Sequence, residues 1–112
     1  MTEFIYLYLG IETGVSPGEM QKKIAKWTTW LKDLDDNGHL KSFGEPLQLS
    51  GKVVKGKKKQ VIDGPYAEAK DVIGGFSIVV AKDIEQATEF ALECPIFDDG
   101  GSVEVRPIGQ QN

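Results

Sequence analysis

The sequence predicts an α+β fold in which two helices cover one antiparallel sheet. Two segments carry apolar residues three and four positions apart, which is the period of an amphipathic helix. Several other segments alternate their side chains between two faces, as strands do. The order of these segments, β-α-β-hairpin-β-α-β, is that of a ferredoxin-like split β-α-β fold with an inserted hairpin. The 112 residues suit a single domain, residues 1–112.

The composition excludes several classes of protein. The chain has 13 Lys and Arg against 17 Asp and Glu, a formal net charge of −4, which argues against general binding of nucleic acid or anionic membranes. Its apolar runs fall far short of the roughly 20 residues that a membrane helix needs, and its N-terminus lacks the basic residues of a secretory signal. We therefore expect a cytoplasmic protein.

Metal and disulfide chemistry are also not expected. The chain has one cysteine, Cys94, and one histidine, His39. A lone cysteine excludes an intramolecular disulfide, and no metal-ligand spacing accompanies the histidine. We expect His39 to be a polar surface residue and Cys94 a small buried one. No cofactor is predicted.

The first strand, Phe4–Leu9, is apolar on both faces. Phe4, Tyr6 and Tyr8 lie on one face, and aliphatic residues lie on the other. A strand that is apolar on both faces is expected to be covered on both sides. We expect the two helices on one side and, on the aromatic side, the sheet of a second identical subunit.

The first helix has clear start and stop signals. Ser16 can cap it, Pro17 suits its first position, and Gly38 can end it in a left-handed conformation. The stretch from His39 to Leu49 is expected to be extended or irregular. One helical face is predicted to be apolar, made of Met20, Ile24, Trp27, Leu31 and Leu34 and widened by Trp30.

A lysine-rich hairpin is predicted at Val53–Gln60, with Gly56 at its turn and Val61 and Ile62 continuing its second arm. Protection of a sheet edge explains the lysines. Binding of an acidic partner or of a nucleic-acid backbone is the alternative. The lysines concerned are Lys52, Lys55, Lys57, Lys58 and Lys59.

The second half repeats the pattern of strand, helix and strand. Ile73–Ala81 is predicted to be the central strand, and the Gly74-Gly75 pair at its start indicates a bulge or a close backbone approach. Asp83 caps the second helix and Pro95 stops it. Ser102–Pro107 is the last strand.

Two motifs give the chain a family resemblance. Residues 61–76 read VIDGPYAEAKDVIGGF, and residues 101–108 read GSVEVRPI. The chain resembles the YCII-related family, in the subgroup named for a DGPF-type motif. The resemblance implies a dimeric α+β barrel, in which two ferredoxin-like subunits pair sheet to sheet. It implies no settled activity, and some relatives are encoded beside or fused to alternative sigma factors.

The wider family has one suspected catalytic residue pair, and this chain has other residues at both positions. YCII-type relatives have a His in the first helix and an Asp at the end of the second, suspected of acid-base work. Counting along the helices places these positions at Trp27 and near Cys94. A tryptophan cannot act as a general base.

We predict that a cleft between two sheets binds a small molecule. Asp63 is the weak candidate for a base, and Arg106 for an anion stabiliser, with an ion pair to Glu104 as the alternative role of the arginine. The turn at 63–66 also has an ordinary structural role, and the aromatic residues can equally serve packing. The ligand-binding candidates are Tyr6, Tyr8, Asp63, Tyr66 and Arg106.

The alternative function is a non-enzymatic regulatory or interaction module, associated with sigma-factor-dependent transcription. A binder or enzyme should have a pocket with a few convergent polar groups. An interaction module should have a filled barrel and an exposed apolar or basic patch. The residues leave open whether any reaction is catalysed.

Overall fold

The computed structural model describes residues 1–10, 15–64 and 71–109. Strands β1, β2, β5 and β6 form an antiparallel sheet in the order β2-β5-β1-β6, and β3 pairs with β4 in a separate two-stranded sheet. This order confirms the ferredoxin-like α+β prediction. The elements are β1 (Thr2–Leu9), α1 (Pro17–Asp36), β2 (Leu40–Ser42), β3 (Gly51–Lys55), β4 (Gln60–Gly64), β5 (Ile73–Ala81), α2 (Ile84–Ala91), a 3-10 helix (Pro95–Asp99) and β6 (Ser102–Pro107).

Helix α1 begins and ends where its capping residues predict. The Ser16 hydroxyl accepts a hydrogen bond from a first-turn amide, and Pro17 is the first helical residue. Gly38 has a φ of +77°, and the His39 amide donates to the Leu34 carbonyl at 2.8 Å. This is the Schellman arrangement, which satisfies carbonyls that the helix end leaves without partners.

Helix α2 starts as predicted but ends early. The Asp83 carboxylate accepts from the Gln86 amide at 2.9 Å. The helix ends at Ala91, and Pro95 instead opens the 3-10 helix. A proline disfavours the helical conformation in the residue before it, and Cys94 is accordingly extended, with ψ at 133°.

The aromatic face of β1 lies under the helices, which corrects the prediction that it faces a second sheet. Phe4, Tyr6 and Tyr8 are all buried in the core with helix residues. The reason is volume, since the matching face of β5 carries small residues and the aromatic rings fill the space that they leave. These small residues are Gly75, Ser77, Val79 and Ala81.

The opposite sheet face is aliphatic and remains half-exposed at its centre. Val103 and Val105 of β6 pack toward the core, so Glu104 and Arg106 lie on this open face. Arg106 lies opposite Ile5 in the pairing of β1 with β6. We call this surface the open face. It is defined by its half-buried residues, Ile5, Leu7, Leu9, Phe76, Ile78 and Val80.

Two glycines let the segment Phe43–Pro46 lie directly on β5. A Cβ atom built on Gly44 would lie 1.6 Å from the Phe76 carbonyl oxygen, and one on Gly75 would lie 3.0 Å from the Glu45 carbonyl oxygen. The register of β5 against β1 also shifts beside Gly75, as at a β-bulge. Both roles predicted for the glycine pair, a bulge and a close backbone approach, are therefore confirmed. Within the described residues, no helix is long and apolar enough to cross a membrane.

Candidate functional site

An apolar cavity of about 340 Å³ opens between helix α1 and the segment Phe43–Pro46. We call it the α1 groove. Three large side chains at its edge, Met20, Ile24 and Phe43, are between 40 % and 56 % exposed. Met20 and Ile24 belong to the apolar face predicted for the first helix, and the structure places them at the rim. The floor and walls include Tyr8, Trp27, Leu31, Gly44, Gly75 and Ser77.

A chain of two hydrogen bonds fixes the floor of the α1 groove. The Tyr8 hydroxyl donates to Ser77 Oγ at 2.8 Å, and the Ser77 hydroxyl donates to the Phe43 carbonyl at 2.7 Å. The Trp27 ring stands edge-on to Tyr8, with centroids 4.7 Å apart. The bonds hold the tyrosine in one orientation and tie the groove wall to β5.

One cation stands beside the groove in an ion pair. Lys23 Nζ lies 2.7 Å from Asp99 Oδ1, and the Asp99 side chain is 11 % exposed. The pair joins α1 to the 3-10 helix and places one positive and one negative charge next to the cavity.

A second and wider cavity, of about 1050 Å³, lies between α1 and the segment that follows α2. We call it the interhelix groove. Its lining includes Trp30, Phe90 and Cys94, with the carboxylates of Asp33 and Glu93 among its charged residues. Its lining has three carboxylates and one lysine, whereas the lining of the α1 groove has two carboxylates and one lysine.

His39 is half-buried in the interhelix groove, which corrects the prediction of a surface residue. Its ring lies 4.6 Å from Phe90, and Nδ1 is 2.9 Å from the Val80 carbonyl oxygen. A carbonyl can only accept a hydrogen bond, so Nδ1 carries the proton. The Val80 amide donates in turn to the His39 carbonyl, which secures the start of β2 against β5.

The two positions considered for an acid-base pair do not form one. Trp27 lines the α1 groove, whereas Cys94 lines the interhelix groove. Burial raises the pKa of the Cys94 thiol to about 12, so the thiol is neutral and not a nucleophile near neutral pH. In the described part of the chain, no three His, Cys, Asp or Glu side chains are grouped to hold a metal ion.

Three of the predicted ligand-binding residues lie away from the α1 groove. Tyr6 is fully buried, stacks on Trp30 and donates to the Ala87 carbonyl. Arg106 lies on the open face, 3.7 Å from Glu104, which is the ion pair considered as its alternative role. Asp63 is paired with a lysine on the β3–β4 sheet, so it and Arg106 lie on different sheets.

Tyr66 lies outside the described residues, so of the predicted candidates only Tyr8 is found at the groove. The sequence indicated Trp27 only as the position of the family's histidine, and it did not indicate Ser77 or Gly44 as site residues. The sequence did offer an indication for Gly44, because an isolated glycine near a strand often marks a close approach of two backbone segments. No comparable signal identified Ser77.

The buried thiol and phenols predict a loss of stability at alkaline pH. In the unfolded chain Cys94 titrates near 9, whereas in the folded protein its pKa is about 12. Above pH 9 the unfolded chain has released a proton that the folded protein keeps, so the free energy of unfolding falls by about 1.4 kcal/mol per pH unit. Burial also raises the pKa of Tyr6 and Tyr8, which add to the slope above pH 10.

Urea unfolding followed from pH 7 to 11 measures this dependence. The Cys94→Ala variant is the control, because between pH 9 and 10 it should keep only the smaller slope of the two tyrosines, which are partly ionised in the unfolded chain over that interval. An equal slope in the variant and the wild type over that interval would contradict the assignment to the thiol.

Comparison with known proteins adds a family and a structural neighbour. The family model described as the YCII-related domain matches residues 5–111. Among solved structures, a 5-chloro-2-hydroxyhydroquinone dehydrochlorinase from Burkholderia phenoliruptrix, in complex with 2,5-dihydroxybenzoquinone, is similar at 20 % identity and a TM-score of 0.45. That alignment covers 99 % of this chain and 96 % of the other. A search among curated protein sequences found no match.

Proposed function

Because the chain belongs to the YCII-related family, we propose that it binds a small molecule and that the α1 groove holds this ligand. The observation that carries the proposal is the ring of exposed apolar side chains, Met20, Ile24 and Phe43, around one apolar cavity. A volume of about 340 Å³ lies within the usual range for small-molecule sites. The Tyr8–Ser77 pair supplies the few polar groups that such a site uses for orientation.

The lining indicates the chemistry of the ligand. Trp27 and Tyr8 offer rigid aromatic surface, which suits a flat and mostly apolar molecule. The charged residues of the lining are Lys23, Glu45 and Asp99, so the charge of the lysine is offset and the groove does not favour an acidic ligand. We therefore propose a planar, predominantly apolar and uncharged molecule as the ligand class.

The proposal includes a homodimer formed through the open face, and membership of the DGPF-type subgroup. Half-exposed aliphatic residues such as Leu7 and Ile78, at the centre of a sheet, are the kind of surface that a second sheet covers. We assign the ligand to the α1 groove and not to the cleft between two sheets. The reason is that Tyr6 and Tyr8, expected to line that cleft, lie under the helices.

No reaction is part of the proposal. Tyr8 lies in a buried setting that raises its pKa, so it is a neutral hydrogen-bonding group near neutral pH. Asp63 and Arg106 lie on separate sheets and away from the groove. The residues that line the groove are suited to binding and orientation.

A screen of planar, uncharged aromatic compounds by thermal shift and tryptophan fluorescence tests the proposal. A compound that binds only the folded protein raises its melting temperature. The Ile24→Ser variant should bind a hit about tenfold more weakly, because it loses one apolar contact at the rim. Ile84→Ser is the matched control, since Ile84 is 41 % exposed on α2 and does not line the groove.

Two results would contradict the proposal. One is the absence of any stabilising compound among the planar aromatic compounds. The other is equal binding of a hit by the Ile24→Ser and Ile84→Ser variants, which would place the ligand outside the α1 groove.

A second candidate function is an interaction module that uses the lysine-rich hairpin. The specific observation in its favour is that Val54 and Val61, at the centre of the hairpin, are both exposed among lysines. Exposed apolar residues within a charged patch are a common feature of protein interfaces.

A further inference from the structure

The hairpin of strands β3 and β4, residues Gly51–Gly64, stands apart from the rest of the molecule. We call it the arm. Its two strands pair with each other in a sheet of their own, and neither packs extensively against another described element. The molecule measures 45 × 44 × 19 Å, with a radius of gyration of 15.4 Å. A compact chain of this length would have a radius of gyration of about 13 Å.

The arm has apolar residues on both of its faces. Val53 pairs with Ile62 on one face, and Val54 pairs with Val61 on the other. Val54 and Val61 are 64 % and 61 % exposed. A two-stranded hairpin alone is at best marginally stable in water, and a solvated face would be polar. The arm is therefore built to be covered by another surface.

The charge of the arm identifies the kind of surface that would cover it. The arm has five lysines and one aspartate, a net charge of +4. Since the whole chain carries −4, the rest of it carries −8. A second copy of this chain therefore presents an acidic body to a basic arm. Opposite charges of this size favour the approach of two copies and fix their orientation.

Among the cavities of the described chain, the interhelix groove is the best match for the arm in size and charge. Leu92 and Phe97 are exposed apolar residues in its lining, which includes no residue of the arm. With about 1050 Å³ it is large for a single metabolite and suits a chain segment. The charged residues of the lining are three carboxylates and one ammonium group, from Asp33, Glu93, Asp98 and Lys26.

We propose that the arm of one copy lies in the interhelix groove of a second copy. Val54 and Val61 would contact the exposed apolar residues of the groove, and the lysines at the tip would pair with its carboxylates. Reciprocal exchange uses the same two surfaces on both copies, which is the geometry of a closed twofold contact. It uses neither the open face nor the α1 groove. It is therefore a second interface between copies, in addition to pairing through the open face, and does not depend on the proposed ligand site.

A charge swap between the arm and the groove tests the contact. Lys57→Glu/Lys58→Glu should weaken self-association about tenfold or more, and Asp33→Lys/Glu93→Lys should do the same, because each places like charges together. The chain with all four substitutions should recover to within about threefold of the wild-type dissociation constant, because the pairs are restored with reversed sign. Sedimentation equilibrium measures the constant of each association step, and only the step that uses the arm should change. Thermal melts confirm folding.

The matched control makes the same change in net charge by replacing two exposed lysines outside the arm. Lys32→Glu/Lys82→Glu should leave self-association unchanged, since Lys32 on α1 and Lys82 before α2 line none of the described cavities. Equal weakening by the control would overturn the proposal, because a general charge effect would then explain the arm variant.

Three further results would overturn the proposal. One is a wild-type chain that remains monomeric at high micromolar concentration. Another is failure of the four substitutions together to restore association. The third is an arm variant whose association steps all keep their wild-type constants but that loses binding to a heparin column, which would assign the arm to polyanions. Binding of a planar aromatic compound by the same variants tests the α1 groove separately.

Discussion

Replacement of Gly44 by alanine is expected to lower the free energy of unfolding by more than about 3 kcal/mol. The added Cβ would lie 1.6 Å from the Phe76 carbonyl oxygen and 2.5 Å from its carbon. Both are backbone atoms of β5, so no side-chain rotation relieves the clash. The segment would have to leave β5 and lose the hydrogen bond from the Phe76 amide to the Glu45 carbonyl. Urea unfolding measures the loss.

The control for this variant is Gly38→Ala. Gly38 has a φ of +77°, close to the +75° of Gly44, but a Cβ there would meet nothing within 4 Å. Its cost is therefore the backbone strain alone, about 1 kcal/mol. Similar losses in the two variants would contradict the close approach of the segment to β5. Gly44→Ala should also abolish binding in the α1 groove, because the groove loses a wall.

Trp30→Ala is expected to destabilise the protein by about 3–5 kcal/mol. Trp30 is buried between the sheet and both helices, with its ring 5.9 Å from Tyr6 and 6.2 Å from Tyr8. Its indole nitrogen donates to the Phe90 carbonyl at 3.1 Å, which ties α1 to the end of α2. Truncation leaves a cavity in the centre of the core and removes that bond.

Two variants separate the contributions in this prediction. Trp27→Ala, at a half-buried position on the same helix, should cost about 1–2 kcal/mol, because less apolar area is removed from the core. Trp30→Phe keeps a large ring and loses the hydrogen bond, with an expected cost of about 1–2 kcal/mol. Urea unfolding compares them. A loss of stability in Trp30→Ala no larger than that in Trp27→Ala would contradict a central position of Trp30 in the core.

The ends of the helices could be predicted because their signals are local. Ser16 and Asp83 cap helices within three residues of chain, and Gly38 ends α1 through its own backbone freedom. The early end of α2 could not be predicted from Pro95 alone. The proline restricts Cys94, but it does not determine how many residues before it remain helical.

The location of the site was the harder prediction. Tyr8 was expected to bind a ligand, and it is in a groove, but on the helix side of the sheet. Asp63 and Arg106 looked like a pair only while the path of the chain was unknown. The α1 groove depends on the contact of Gly44 with β5, which joins residues more than thirty positions apart.

The residue pattern alone determined the order of the elements, the caps of both helices and the basic hairpin. It could not determine which side of β1 meets the helices, because both sides are apolar and either is compatible with burial. That choice depends on the small residues that β5 places beside Tyr6 and Tyr8, about seventy positions away in the chain. Caps and turns form from neighbouring residues, whereas faces and cavities result from matching volumes between distant strands.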